Sequence, residues 1–595
     1  MNTLRMAAAT SHSAIKYGLI LCSVAAAEML WLVGVLWASP DISRTLLWIG
    51  AAAALLITVN ASNALAQRIL CLRKGALEMR NVAESSAIEM GGDCLIVYCA
   101  IVRSRGNVLD LLTRLYELKF VSPYNCGMGI LLDFQDAASK SLPGEEEILK
   151  EIVDRIQTLN ASSGRRYYLF YREREFNTVE GVWMGWERKR GKVVQLARAL
   201  ETGDFSKFPV CEGDLFALRG ARYLVTLDED TRLGRQAVGA MLKTIKRPED
   251  ASLRNAQHSM YAAQIGVVQP VPILSRQSAI YSVYSWLSYD GVTEETVRSG
   301  ITNFYENIFR RGSFYGKGML DVRALASVSN NWITDNSVLS HDLLEGALLG
   351  CRLLTNHFVL EDAPKTIIAC RLRRHRWIRG DWQLLRWLRP HVTTPRGLQA
   401  NPLCALDRWK IIDNILRSLF APAAFCYIVV GLISGFHIYS FTALLCATAA
   451  PWIFDVVAPL FSGSFRVKHL IWFGVVRPVI KSIIDFTILP FDAYLNIDAI
   501  ARAIWRMAIS RRKLLEWWPY SDAQTRAANL HAYLRWMAPG VGISLAFLIA
   551  AELTNAFGSD LVRFASVLWL FGPILAWAVS VQLSSSPAVI SHGRS

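Results

Sequence analysis

Two acidic residues at the end of an apolar segment are the first candidates for chemistry. Asp228 and Asp230 follow the mostly apolar run 221–227. Side chains two positions apart on an extended backbone point the same way, and ligands bind at strand ends in open α/β sheets. Both carboxylates could therefore hold one Mg²⁺ or Mn²⁺ ion, which would neutralise a bound diphosphate. The alternative is an acidic surface turn.

Asp342 is the candidate general base. It lies in the segment Ser-His-Asp-Leu-Leu-Glu-Gly at 340–346. Inverting glycosyl transfer needs a carboxylate that takes the proton of the acceptor hydroxyl while its oxygen attacks the anomeric carbon. The alternative is a helix N-cap, because Asp before Leu-Leu-Glu-Gly-Ala-Leu-Leu is a favourable helix start. The two roles are compatible.

Arg376 and Trp377 belong to a third candidate element. The segment 371–382 contains five arginines and two tryptophans. Arginines suit a pyrophosphate group, and a tryptophan can form a platform for a sugar ring. The alternative is a basic helix on lipid headgroups.

Asp133 and Asp136 close another apolar segment, 129–132. At the end of a strand, these carboxylates could bind the uracil or ribose of a nucleotide. An ordinary loop turn is the alternative.

The surrounding sequence predicts three parts. Residues 1–68 predict a pair of transmembrane helices, residues 69–400 a cytoplasmic α/β domain of strands and amphipathic helices, and residues 401–595 a second transmembrane region. Six apolar runs are long enough to cross a bilayer: Tyr17–Ala38, Leu46–Leu65, Ile415–Phe436, Tyr439–Phe461, Met537–Leu553 and Val562–Leu583. The first has no small-residue cleavage site, so it predicts an anchor and not a signal peptide.

The segment Arg466–Trp518 is basic, rich in tryptophan and interrupted by Pro478 and Pro490. This pattern is typical of amphipathic helices lying on a membrane. The alternative is one or two further spans, because Val479–Leu489 is apolar.

The composition agrees with a soluble domain framed by membrane helices, since 52% of the residues are hydrophobic and 19% are charged. The net charge of +15 is concentrated beside the apolar runs, where the positive-inside rule and anionic lipids explain it without nucleic acid. The 11 cysteines include no Cys-x-x-Cys pair. They are expected to be reduced, buried and structural.

Several segments together resemble the membrane-embedded glycosyltransferase module of bacterial cyclic β-1,2-glucan synthases and, more distantly, cellulose-synthase-like and osmoregulated-glucan transferases. The resemblance covers roughly residues 15 to 585 and is carried by 181–192, 227–231, 312–318, 340–346, 373–382 and 510–517. Arg373 departs from the glutamine of the broader superfamily.

This resemblance implies a GT-A-type, Rossmann-like fold that uses UDP-glucose. It implies a metal at Asp228 and Asp230, a base at Asp342, and donor or acceptor contacts from Asp133, Asp136, Lys192, Arg376 and Trp377. Family members are usually far longer, with further soluble domains for ring closure.

The sequence therefore predicts an inverting β-glucosyltransferase of the bacterial inner membrane, with a cytoplasmic catalytic domain that builds a β-1,2-linked glucan. Its partners would be a nucleotide sugar, the growing glucan and the lipid bilayer. We expect a linear product, with any ring closure made by a separate cyclising protein. The alternatives are a non-processive transferase acting on a lipid or protein acceptor, and a membrane transport or scaffold protein with an inactive transferase domain.

Overall fold

The computed structural model describes residues 2–37, 43–74, 94–123, 125–246, 265–289, 304–434, 437–462, 472, 475–516, 529–554 and 560–583. Its strands are β1 Cys94–Val102, β2 Gly127–Phe134, β3 Tyr167–Tyr171, β4 Glu175–Asn177, β5 Val182–Met184, β6 Val210–Glu212, β7 Tyr223–Asp228, β8 Arg232–Leu233, β9 Val267–Leu274, β10 Gly318–Asp321, β11 Cys351–Glu361, β12 His391–Thr394 and β13 Gly397–Ala400.

The helices before residue 400 are α1 Asn2–Trp37, α2 Arg44–Lys74, α3 Arg105–Glu117, α4 Glu145–Ser163, α5 Arg188–Thr202, α6 Ala237–Ile245, α7 Arg276–Ala279, α8 Val283–Ser288, α9 Phe304–Phe309, α10 Val322–Trp332, α11 Asp342–Leu349 and α12 Ile367–Gln383. They are followed by α13 Ala405–Ile433, α14 His437–Ser462, α15 Arg477–Thr487, α16 Leu489–Trp505, α17 Leu530–Thr554, α18 Asp560–Leu570 and α19 Gly572–Ser580.

Nine strands form one mixed sheet in the order β6-β3-β2-β1-β7-β10-β9-β11-β8. Strands β3, β2, β1 and β7 are parallel neighbours, whereas β10 runs antiparallel between β7 and β9. The parallel strands are buried along almost their whole length, as expected of a sheet covered by helices on both faces. A mixed sheet with helices confirms the predicted α/β class.

The parallel arrangement brings the predicted acidic positions to one edge of the sheet. In the register, Ile101 of β1 lies beside Asp133 of β2, and Cys99 of β1 lies beside Asp228 of β7. Because the carboxyl ends of parallel strands meet at the same edge, Asp133 and Asp228 lie on either side of β1 there.

Four helical segments of the described part are long and apolar enough to cross a membrane: Ala14–Gly34, Arg44–Cys71, Ala405–Ile433 and Leu530–Ala550. The bent pair Arg563–Leu570 and Gly572–Ser580, which meets at 47°, would add a fifth if it counts as one span. The predicted span Tyr439–Phe461 falls within α14, where only the shorter stretch Ser440–Ala449 qualifies as apolar. By length and composition these helices fit a membrane protein.

The two prolines of the predicted interfacial segment lie in the first turns of α15 and α16, where a proline costs no helical hydrogen bond. Side chains of α15 and α16 share a hydrophobic cluster with α12 and α17, which includes Ile367, Phe491 and Met537. These helices therefore connect the end of the α/β region to an apolar helix. Their position on a membrane stays a prediction, and Trp518 lies outside the described residues.

All 11 cysteines are free thiols. Nine of them are buried or partly buried, but Cys22 and Cys446 are exposed on the apolar helices α1 and α14. The expectation that the cysteines are buried is therefore wrong for these two.

Candidate active site

Asp228 is the last residue of β7, and its carboxylate forms ion pairs with two lysine ammonium groups. Lys189 Nζ lies 2.5 Å from Oδ1, and Lys317 Nζ lies 3.3 Å from Oδ2. Burial alone would raise the pKa of Asp228, but the two lysines outweigh it and hold this pKa well below its usual range. Asp228 is therefore an anion with strong local cationic partners.

Neither lysine was among the residues predicted from the sequence. Lys189 is the second residue of α5, and its ammonium group also donates to the carbonyl oxygen of Gly316 at 2.8 Å. Lys317 follows that glycine and pairs with Glu361 at 2.5 Å. The basic run 188–192 was the available signal, but which of its lysines turns towards Asp228 depends on how α5 packs.

Asp230 is partly buried beside the same cluster. Burial raises the pKa of Asp230, Lys317 opposes the rise, and the carboxylates of Asp228 and Glu361 add to it. This excess of negative charge would be relieved by a divalent cation, and carboxylate oxygens are the ligands that Mg²⁺ and Mn²⁺ prefer. A divalent ion at Asp228 and Asp230 stays a prediction, and such an ion would compete with the lysines for the Asp228 oxygens.

Asp342 is the first residue of α11, so the N-cap is the preceding His341 and not the aspartate. Asp342 and Lys189 approach each other at Gly316. A Cβ atom added to Gly316 would lie 2.8 Å from Asp342 Oδ1 and 2.9 Å from Lys189 Nζ. The tertiary structure thus gathers Asp228, Lys189 and Asp342 around one glycine, although they are far apart in the chain.

The Oδ1 atom of Asp342 is buried and has no hydrogen-bond partner among the described residues. His341 Nδ1 lies 3.6 Å from this atom and 2.9 Å from Glu345 Oε2. By distance, His341, Asp342 and Glu345 could also hold a metal ion. Burial lowers the pKa of His341, but the charges of Glu345 and Asp342 outweigh this effect and raise the pKa overall. The raised pKa favours a proton on the imidazole over a metal ion at this cluster.

Arg376 and Trp377 lie on α12, which packs closely behind the Asp342 segment. A Cβ atom added to Gly380 would lie 2.3 Å from Ser340 Cβ, so only glycine permits this approach. Burial, then the neighbouring Arg373, lower the pKa of Arg376 to about 10, while the charges of Asp228 and Asp342 oppose the shift. Arg376 is therefore within electrostatic reach of both predicted catalytic carboxylates.

Trp377 is 45% exposed, so one face is available to a ligand. The guanidinium carbon of Arg373 lies 4.6 Å from the centre of its ring, a cation–π contact. Arg373, the residue that departs from the family pattern, thus stacks on the tryptophan.

Asp133 is buried, and both of its carboxylate oxygens accept hydrogen bonds within the protein. Arg172 donates to both of its oxygens, with Nε to Oδ1 at 2.6 Å and Nη2 to Oδ2 at 2.8 Å. Lys192 Nζ lies 3.6 Å from Oδ2 and donates to the carbonyl oxygen of Ala100 at 2.7 Å. Burial would raise the pKa of Asp133, but Arg172 and Lys192 lower it overall. Lys192 is only 1% exposed.

Asp136 pairs with Arg188, whose Nη2 lies 2.7 Å from Oδ2. Arg188 Nε also donates to the carbonyl oxygen of Leu515 at 2.7 Å. This pair therefore attaches the segment after α16 to the sheet edge. The structure places Asp133 and Lys192 in a buried cluster and Asp228 and Asp342 in a separate, partly exposed one. The charges of Asp133, Lys192 and Asp228 all act on the thiol of Cys99.

The chain is 30% identical, over 520 residues, to the cyclic beta-(1,2)-glucan synthase NdvB of Rhizobium meliloti (strain 1021). The aligned region is 83% of this chain but 18% of that protein, so the chain spans less than a fifth of the relative's length. No protein-family model matches the chain.

Proposed function

We propose, because this chain is related to the bacterial cyclic glucan synthases, that it is a membrane-embedded inverting β-glucosyltransferase that polymerises glucose from UDP-glucose into a β-1,2-linked glucan. The observation that carries the proposal is the meeting of Asp228, Lys189 and Asp342 around Gly316, at the carboxyl edge of the parallel strands. A carboxylate for proton transfer and cations for a departing diphosphate are the groups that such a transfer needs.

The donor would bind through its charges. Lys189, Lys317 and Arg376 are cations around the two carboxylates of the site, and each could contact a diphosphate oxygen. Asp228 and Asp230 would hold a divalent cation, which supplies neutralising charge to the diphosphate when it is bound. Asp133 and Asp136, with Arg172 and Arg188 as their partners, would shape the nucleoside end of the site in a GT-A-type arrangement.

Asp342 would act as the base. The acceptor hydroxyl oxygen forms a bond to the anomeric carbon of glucose, the bond from that carbon to the diphosphate breaks, and the hydroxyl proton passes to Asp342. The buried Oδ1 atom without a partner is available for this proton. Trp377, held by Arg373, would offer an apolar face to the acceptor sugar.

The cellular setting belongs to the same proposal. The apolar helices would hold the enzyme in the bacterial inner membrane, with the sheet on the cytoplasmic side where nucleotide sugars are made. The domain boundaries at 68 and 400 remain part of the proposal; α2, which ends at Lys74, precedes the first strand, and α13 follows the last.

The deciding experiment is turnover by the purified chain in detergent or lipid discs. UDP release from UDP-glucose, compared with other UDP-sugars, tests the donor, and linkage analysis of the product tests the β-1,2 bond. Asp342→Asn serves as the inactive control. If no UDP-sugar is consumed faster by the wild type than by this variant, the proposed function is wrong.

A further inference from the structure

A cavity of about 460 Å³ lies beside the sheet, between the β4–β5 hairpin, α5 and the segment that leads into β6. Its volume falls within the range of roughly 300–1,000 Å³ that small-molecule sites occupy. Neither Asp228 nor Asp342 nor Trp377 lines its described walls, but Arg172 does. The cavity therefore adjoins the nucleoside end of the proposed donor site through one arginine.

Arg172 forms the boundary between the two. Its Nε and Nη2 atoms donate to the oxygens of Asp133, whereas Nη1 donates to the carbonyl oxygen of Trp186 at 2.7 Å and to Gln195 Oε1 at 2.9 Å. Trp186 and Gln195 line the cavity. All three guanidinium nitrogens thus have acceptors within the protein, so Arg172 closes the floor of the cavity without offering a spare cation to a ligand.

One wall of the cavity is aromatic and uncovered. Phe176 and Trp183 are directly opposed in the β4–β5 hairpin, so their side chains lie on the same face, with ring centres 5.7 Å apart. Phe176 is 52% exposed, and Trp183 is partly exposed. The backbone of Trp183 also exchanges two hydrogen bonds of 3.0 Å with Ala137, which fixes the hairpin to the end of the sheet. The cavity therefore has a rigid aromatic wall open to solvent.

The charges around the cavity balance one another. Lys140 pairs with Glu173 at 2.6 Å, Arg172 pairs with Asp133, and Arg174 pairs with Glu145. The two other charged lining residues, Glu175 and Lys207, have opposite signs. An anionic ligand such as a nucleotide would therefore meet cations that already have carboxylate partners, and the cavity favours a neutral ligand.

A sugar ring combines the properties that these walls require. Its face presents C–H groups to an aromatic ring, and its edge carries hydroxyl groups that both donate and accept hydrogen bonds. Gln195 and Ser206 supply polar groups beside the aromatic wall. We propose that this cavity binds a neutral gluco-oligosaccharide, with a glucose ring against Phe176 and Trp183. The choice of glucose rests on the proposed function, and the site would hold part of the glucan beside the donor site.

The test is calorimetric titration of the purified full chain with a linear β-1,2-linked gluco-oligosaccharide. Lipid discs are needed, because glycoside detergents carry sugar headgroups of their own. All variants are made in a Trp377→Ala background, which removes the proposed acceptor platform and should leave binding at the cavity. In that background Phe176→Ala should weaken binding by about tenfold, since it removes one ring of the wall. Trp183→Phe keeps an aromatic ring and should retain most of the affinity.

Phe216→Ala is the matched control, because Phe216 is 75% exposed and is not among the residues that line the cavity. It should leave binding unchanged, and equal melting temperatures would show that all variants are folded. The proposal is overturned if the Trp377→Ala chain binds no oligosaccharide, if adding Phe176→Ala leaves the affinity unchanged, or if UDP displaces the oligosaccharide. Failure of the proposed function gives a different result, since a chain that consumes no UDP-sugar would still bind the oligosaccharide through Phe176.

Discussion

Lys189 Nζ lies 2.5 Å from the carboxylate of Asp228, so the start of α5 is tied to the end of β7 by an ion pair. This pair occupies an oxygen that a divalent cation would need. Binding of a metal and a diphosphate would therefore exchange the partners of both residues, with the lysine moving from carboxylate to phosphate.

Asp342→Asn should fold and bind UDP but lose sugar transfer, because an amide cannot accept the proton of the acceptor hydroxyl. Loss of a positioned base typically costs about 10²- to 10⁴-fold in rate. UDP release measures the rate, and UDP binding by calorimetry is the control. Near-normal turnover with intact binding would remove Asp342 from the role of base.

Asp230→Ala should reduce turnover and weaken UDP binding in the presence of Mg²⁺ or Mn²⁺, since the diphosphate would lose its bridge to the protein. A chelator should have the same effect on the wild type and little further effect on the variant. Full activity in excess EDTA would mean that Asp228 and Asp230 serve another purpose.

Gly316→Ala should abolish most activity, because its Cβ atom would clash with both Asp342 and Lys189. The residue also has φ +80°, so part of any stability loss comes from backbone strain. Gly220→Ala is the matched control, with φ +88° and open space around its Cβ position. Gly220→Ala should lose thermal stability through backbone strain alone and keep its turnover, whereas Gly316→Ala should lose turnover as well. Equal activity in the two would show that the glycine does not separate the catalytic groups.

Asp133→Ala should destabilise the protein strongly, because it leaves the buried Arg172 cation without its carboxylate. Removing one partner of a buried ion pair typically costs about 3–5 kcal/mol. The melting temperature of the purified chain measures the loss. Glu151→Ala, which breaks the exposed pair with Arg105, should change it little. If the two variants melt alike, the Asp133 pair contributes no net stability.

The same pair predicts a pH dependence. Because Arg172 and Lys192 lower the pKa of the folded Asp133, its stabilising effect is present above the unfolded pKa of roughly 3.9 and is lost as the pH falls through the lower folded value. The difference in melting temperature between wild type and Asp133→Asn should therefore be constant near neutrality and shrink in strong acid. A difference that grows towards acid would contradict this sign.

Much of the local structure follows from the sequence alone. The sequence predicts the apolar strands that end at Asp228 and near Asp133. A parallel strand buried on both faces needs an uninterrupted apolar run, and such runs are visible in the sequence. Pro478 and Pro490, which interrupt the predicted interfacial segment, lie in the first turns of α15 and α16, because proline restricts the backbone and lacks an N–H donor. The predictions of an α/β class and of apolar helices both depend on such short-range patterns.

The partners of the charged residues were decided only by the tertiary structure. Lys192 was predicted at the donor site and Lys189 was overlooked, yet the packing of α5 directs Lys189 to Asp228 and buries Lys192 beside Asp133. The two lysines are three residues apart on one helix, so the choice depends on the rotation of that helix against the sheet. No local pattern encodes that rotation, because it is set by contacts among residues that are distant in the chain.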